Sequence, residues 1–256
     1  MQKILQIKLR PLKHFTRHIP NGISILNLLS GALSAIFAMN GNFYLAGLFI
    51  LIAAAFDFLD GMVARLLQAY TKIGKELDSL SDIVSFGFAP SILLHMYLKK
   101  LLLQNFLTAD ILYIPVTKML MILSPFLILV FAALRLARFN VSDAQEQHFS
   151  GLPSPACAIF FASAVLSFGT SWFNEISIYA WHWVILIIVF SLLMIVPFQM
   201  FSLKFKNWRW AGNEIRYIII GISLILLVTL QSLGISMAVI AYIFLSGVIN
   251  ILDTNH

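Results

Sequence analysis

The chain has 256 residues, 60% of them hydrophobic and only 11% charged, and its mean hydropathy is +0.91. A water-soluble domain carries roughly twice that charged fraction, and a disordered chain lacks so many apolar residues, so both classes are excluded. The net charge of +6 is scattered over short segments between apolar blocks, a pattern that suits anionic lipid head groups and gives no nucleic-acid-binding domain.

In chain order, residues 1–20 come first, with Leu5, Leu9, Leu12 and Phe15 near helical spacing among Lys3, Lys8, Arg10, Lys13 and Arg17. This predicts an amphipathic segment lying in the membrane interface, interrupted at Pro11. The basic residues run through it and no apolar stretch follows directly, which argues against a cleaved signal peptide. Apolar runs then predict eight helices, near 21–40, 43–67, 80–98, 116–137, 154–173, 178–203, 216–231 and 234–251, most of them long enough to cross a hydrocarbon core about 30 Å thick. The expected fold is therefore all-α: a polytopic membrane bundle of about eight transmembrane helices. It divides into the interfacial segment (1–20), a six-helix core (21–203) and two additional C-terminal helices (204–256).

With the N-terminus inside, fourteen of the 17 Lys and Arg residues fall at inner ends, leaving Lys99, Lys100 and Lys118 outside. The positive-inside rule then sets both termini in the cytoplasm. Trp172, Trp181, Trp183, Trp208 and Trp210 sit near span ends and read as an interfacial aromatic belt. The single cysteine, Cys157, reads as a small core hydrophobe. The six histidines show no metal-ligand spacing and read as interfacial or surface residues.

The acidic residues are distributed unevenly. Asp57, Asp60, Glu76, Asp78 and Asp82 all fall in one 26-residue stretch across the end of the second helix and the start of the third. Asp57 and Asp60 are spaced i, i+3, and Asp78 and Asp82 i, i+4, so each pair shares a helical face. A short connection makes the two helices antiparallel, which brings both pairs to one membrane depth. Four carboxylates in a partly dehydrated site repel one another unless cations balance them. Two divalent ions supply the +4, and an all-oxygen ligand set suits Mg²⁺ or Mn²⁺. Ion pairs with Arg65, Lys72 and Lys75, or a proton relay or cation site of a transporter, are the competing explanations.

From Asp57 to Asp82 the sequence reads DFLDGMVARLLQAYTKIGKELDSLSD, which is D-x2-D-G-x2-A-R-x8-G-x3-D-x3-D. Every specified position resembles the signature of the CDP-alcohol phosphatidyltransferase family. The resemblance implies a divalent-metal-dependent transfer of a phosphatidyl group from CDP-diacylglycerol to the hydroxyl of a small alcohol, releasing CMP. It implies Asp57, Asp60, Asp78 and Asp82 as metal ligands, with Asp82, the last of the motif, as general base. It implies contact of the CDP-lipid with Gly61, Ala64, Arg65 and Gly74, Gly74 being placed in the connecting loop. Gly61 and Ala64 also fit small-residue helix packing, while Arg65 suits a phosphate by its fixed charge and bidentate geometry. Asn27 in the first helix, in the context NLLSG, is either an interhelical hydrogen bonder or a CDP-lipid contact.

The fourth helix ends LRLARFN, with Arg135 and Arg138 at i, i+3, followed by FSGLPSPA. Over residues 20 to 165 these stretches are similar to the multi-span phosphatidylserine synthases of bacteria and archaea. That resemblance implies L-serine as acceptor, its carboxylate matched by the two arginines, which also fit as positive-inside anchors. Glycerol 3-phosphate, inositol phosphate and choline are the alternative acceptors. The resemblance further implies a homodimer in a prokaryotic inner membrane, with the active site facing the cytoplasm.

Overall fold

The computed structural model describes residues 18–69, 71–105, 107–108, 113–141, 151–167, 179–196, 200 and 213–253. The proposed interfacial segment lies almost entirely outside them, as do Trp172, Trp208 and Trp210. Among the described residues eight helices follow one another: α1 (Ile19–Met39), α2 (Phe43–Leu66), α3 (Lys72–Leu102), α4 (Val116–Val141), α5 (Ser154–Ser167), α6 (Ala180–Leu193), α7 (Glu214–Leu230) and α8 (Ser232–Asp253). There is no strand among the described residues. Five of the helices, α1, α2, α3, α4 and α8, are long and apolar enough to cross a membrane. The chain is a polytopic helical bundle.

The packing logic is that of a bilayer protein. On α1 the buried positions are small or polar, including Ser24, Asn27, Ser30, Gly31, Ser34, Ala35 and Ala38, whereas Ile25, Leu26, Leu29, Leu33 and Ile36 are exposed. Lipid tails solvate leucine as well as a protein interior does, so the helices join through residues that allow close approach and hydrogen bonding. Gly31 shows how close: a Cβ built there would stand 2.5 Å from Ser85 Oγ and 2.7 Å from Ser85 Cα on α3. The Ser34 hydroxyl donates to the Ala46 carbonyl of α2 at 2.8 Å.

Helix α3 begins at Lys72, earlier than the hydropathy pattern suggests, because Thr71 caps its polar first turns by accepting from the Gly74 N–H at 2.9 Å. It runs to Leu102 through a π-helical turn at Ile83–Phe88. Pro90 stands just beyond that turn; it has no N–H to donate and its ring crowds the preceding carbonyls, which favours a widened helix there. In α4 the helix breaks between Val116–Leu123 and Phe126–Val141, at Pro125. Two carbonyls at this break find partners on α3: Ser91 Oγ lies 2.9 Å from the Pro125 oxygen, and His95 Nδ1 donates to the Ile122 oxygen at 2.9 Å. His95 is thus a half-buried structural residue and not an interfacial one.

The densest core lies around α5, where Cys157, Phe160 and Phe161 are buried together with Trp183, Ile187 and Phe190 of α6. Trp183 is only 1% exposed and packs edge-on against Tyr97, with ring centroids 5.2 Å apart. It belongs to the core, not to the aromatic belt, because α6 turns this face toward α3 and α5. Trp181, by contrast, is exposed. Helices α7 and α8 form a hairpin turning at Gln231, whose φ is 51°. The hairpin is tied to α5 by serines: Ser163 Oγ and Ser236 Oγ are 2.6 Å apart, and Ser167 Oγ donates to Ser232 Oγ at 3.0 Å.

Candidate active site

The aspartate-rich stretch folds as the antiparallel pair α2–α3, joined by residues 67–71. Asp57, Asp60 and Asp78 each direct a carboxylate oxygen inward, and these oxygens all lie within 4.8 Å of one another. Asp82 neighbours all three. The set consists of hard oxygen donors on two rigid helices, which fits a divalent ion of the Mg²⁺ or Mn²⁺ kind. These residues could therefore hold a metal ion.

Helix α1 holds this cluster from one side. The Ser24 hydroxyl donates to Asp60 Oδ2 at 2.7 Å. Ser81 Oγ lies 3.0 Å from the Ser24 carbonyl, and Ser85 Oγ donates to the Asn27 carbonyl at 2.9 Å. These two contacts, one turn apart, clamp α3 to α1 on either side of Asp82. The three serines went unnoticed in the sequence, although Ser24 stands three residues before Asn27 and Ser81 and Ser85 flank Asp82 at helical spacing.

The remaining expected site residues divide into groups. Nothing lies within 4 Å of a Cβ built on Gly61, so the α2 surface beside Asp60 is open, and Ala64 is half-buried on the same helix. Arg65 is exposed and its Nε donates to the Gly61 carbonyl at 2.9 Å, which lays the guanidinium along that surface. Gly74 sits in the first turn of α3 and not in the loop; a Cβ there would stand 2.7 Å from Asn21 Oδ1 and 2.8 Å from Thr71 Oγ1. The two arginines part company. Arg135 is largely buried and faces Asp82, with its Nε lacking a hydrogen-bond partner. Arg138 is exposed, with Nη1 3.4 Å from the Ile195 carbonyl. Asn27 is fully buried beside Asp82, and its amide turns toward that carboxylate without closing a full hydrogen bond.

Together, the fold and the site define a helical membrane protein with a cluster of carboxylates, able to hold a metal ion, set in its bundle. A model of the CDP-alcohol phosphatidyltransferase family matches residues 17–195, which take in α1 to α6, and the chain belongs to that family. It is 35% identical over 161 residues to an archaetidylserine synthase from Methanothermobacter thermautotrophicus, covering 62% of this chain and 61% of that one. It is 34% identical over 149 residues to a CDP-diacylglycerol–serine O-phosphatidyltransferase from Helicobacter pylori, covering 57% and 56%. A protein of the same description from Bacillus subtilis is 33% identical over 138 residues, covering 54% and 70%. The chain thus spans less than two thirds of the length of the first two relatives.

Proposed function

We propose that the protein transfers the phosphatidyl group of CDP-diacylglycerol to the hydroxyl of L-serine, giving phosphatidylserine and CMP. The observation that carries the reading is the convergence of Asp57, Asp60 and Asp78 within 4.8 Å, with Asp82 beside them. Serine as acceptor is supported by the descriptions of the relatives and by Arg135, a half-buried cation facing Asp82 and suited to a carboxylate.

Asp57, Asp60, Asp78 and Asp82 would hold two divalent ions, Mg²⁺ or Mn²⁺. Bound there, such ions would neutralise pyrophosphate charge and stabilise the charge that develops in the transition state. Asp82 takes the proton from the serine hydroxyl as that oxygen forms its bond to the phosphorus bearing diacylglycerol. The bond from that phosphorus to the bridging oxygen breaks, and CMP leaves with the electron pair. Asp82 would act as base only where its contact to an ion is loose or shared, since tight ligation lowers basicity. Gly61 and Ala64 leave room for the nucleotide, Arg65 contacts its phosphates and Gly74 allows close approach at the start of α3. Arg135 holds the serine carboxylate, with Arg138 nearer the mouth. The motif supplies carboxylates and no obvious Ser or Cys nucleophile, which favours direct displacement.

Residues 21–203 form the catalytic core in this reading, and residues 204–256 add two packing helices. Both termini and the active site face the cytoplasm of a prokaryotic inner membrane, so the lipid arrives laterally and serine from water; the working form is a homodimer. The test offers purified protein CDP-diacylglycerol with Mg²⁺ or Mn²⁺ and each alcohol in turn while CMP is measured. Serine-dependent CMP release is expected. CMP release independent of serine, or none with any acceptor, would sink the reading.

A further inference from the structure

We propose that Asn27 belongs to the acceptor's pocket and recognises the ammonium group of an α-amino acid, so that Asn27, Asp82 and Arg135 form one amino-acid-binding subsite. The inference rests on the serine-transfer reading above and gives that site its specificity element.

The motivating fact is a cluster of unmet hydrogen-bonding capacity. Asn27 is 0% exposed, and its amide turns toward the Asp82 carboxylate without closing a full hydrogen bond, while Arg135 Nε is buried with no partner. Leaving one such group unsatisfied costs about 1–3 kcal/mol, and even more in hydrocarbon, where water offers no compensation. Packing explains neither Asn27 nor Arg135 Nε, whereas the free Asp82 oxygen is a ligand position for the proposed ion.

Their placement is fixed by backbone. Ser24 and Asn27 are one turn apart on the same face of α1, and Ser24 already reaches Asp60. The Ser85 bond to the Asn27 carbonyl pins the next turn of α1 against α3 beside Asp82. Asn27 therefore points at Asp82, while the open surface around Gly61 and the exposed Arg65 lie on α2. Arg135 on α4 faces the same carboxylate.

Taken together, the subsite offers donors from Arg135 Nε and Asn27 Nδ2, and acceptors from Asn27 Oδ1 and Asp82 Oδ1. A zwitterionic hydroxy amino acid complements all of them: carboxylate to Arg135 and Nδ2, ammonium to Asn27 Oδ1, hydroxyl to Asp82. A phosphorylated polyol brings acceptors and hydroxyls but no ammonium, so it leaves the amide oxygen poorly matched. A buried group made to hydrogen-bond a substrate rejects the analogue that lacks the partner.

The experiment uses the full chain in detergent with Mg²⁺ or Mn²⁺, comparing wild type with Asn27→Ala. KM values for L-serine and CDP-diacylglycerol are measured, together with the use of 3-hydroxypropionate, which has the hydroxyl and carboxylate of serine but no ammonium. The expected result is a serine KM raised about tenfold or more, a CDP-diacylglycerol KM within about twofold, and a preference for serine over 3-hydroxypropionate cut about tenfold. A rise in the CDP-lipid KM alone would move Asn27 to the nucleotide side. An unchanged preference would make its role structural; either result overturns the proposal. If Asn27→Ala does not fold, Asn27→Ser is measured in the same way, and failure of both to fold assigns Asn27 to packing and also overturns it. Wild-type protein that releases no CMP with any alcohol defeats the transfer reading instead. In that case serine-induced thermal stabilisation of wild type but not of Asn27→Ala would still uphold the pocket, and equal shifts would overturn it.

Discussion

The Ser24 hydroxyl on α1 donates to Asp60 Oδ2 on α2 at 2.7 Å, across a gap of 36 residues in sequence. One carboxylate of the cluster is thereby oriented by a helix that carries none of the aspartate motif. Groups that orient metal ligands typically alter metal affinity 10–100-fold when removed. Ser24→Ala is expected to weaken the apparent Mg²⁺ or Mn²⁺ affinity by about that factor, read from metal titrations of CMP release, with the protein still folded. An unchanged metal dependence would show that Asp60 needs no such support.

Asp82→Asn keeps the size of the side chain but removes its capacity to take a proton. Loss of a general base typically costs about 10²–10⁴-fold. Turnover should fall by at least that much while CDP-lipid binding, followed by protection against thermal unfolding, persists. Near-normal turnover would remove Asp82 from the base role.

Two glycines should respond in opposite ways. At Gly31 an added Cβ meets the Ser85 backbone, so Gly31→Ala must push α1 from α3. It is expected to lower stability by about 1–3 kcal/mol and to reduce activity with it. At Gly61 nothing lies within 4 Å, so Gly61→Ala should leave stability unchanged or raise it by up to about 1 kcal/mol, because alanine is the better helix former. Its CMP release should nevertheless fall several-fold, the methyl occupying space meant for the nucleotide. Thermal unfolding and CMP assays on both variants decide the matter; a fully active Gly61→Ala would clear that surface of a role.

Arg135 and Arg138 separate by burial and by neighbour. Truncating Arg135 should raise the serine KM by about tenfold or more, as expected for a charged group that meets a carboxylate away from water. Arg138→Ala, at an exposed site whose Nη1 is 3.4 Å from the Ile195 carbonyl, should change it no more than about threefold. Equal effects from the two would contradict the division.

Much of this architecture could be read from the sequence. The helix count, the order of elements and the meeting of Asp57, Asp60, Asp78 and Asp82 follow from hydropathy and from spacing within two neighbouring helices. What escaped depends on distant pairings. Ser24, Ser81 and Ser85 look like ordinary small residues until α1 is laid on α3. Trp183 sits near a helix end, where tryptophan favours an interface, and only the approach of Tyr97 and Phe161 shows it enclosed. The two arginines share a face by the i, i+3 rule, yet the face is broad enough for one to look toward Asp82 and the other to meet Ile195. Periodicity names a face; the neighbour that meets it is set by the rest of the bundle.

The π-helical turn at Ile83–Phe88 joins two halves of α3 with different obligations: the half ending at Asp82 carries two aspartates of the cluster, and Ala89–Leu102 supports α4 and the core. A widened turn absorbs one extra residue, and one residue is about 100° of rotation around a regular helix. It works as a phase shifter, letting each half keep its own angular setting on a common axis. Removing the one absorbed residue would leave both settings in place, whereas drawing the same residues into ordinary α geometry would swing Asp78 and Asp82 out of register with Asp57 and Asp60.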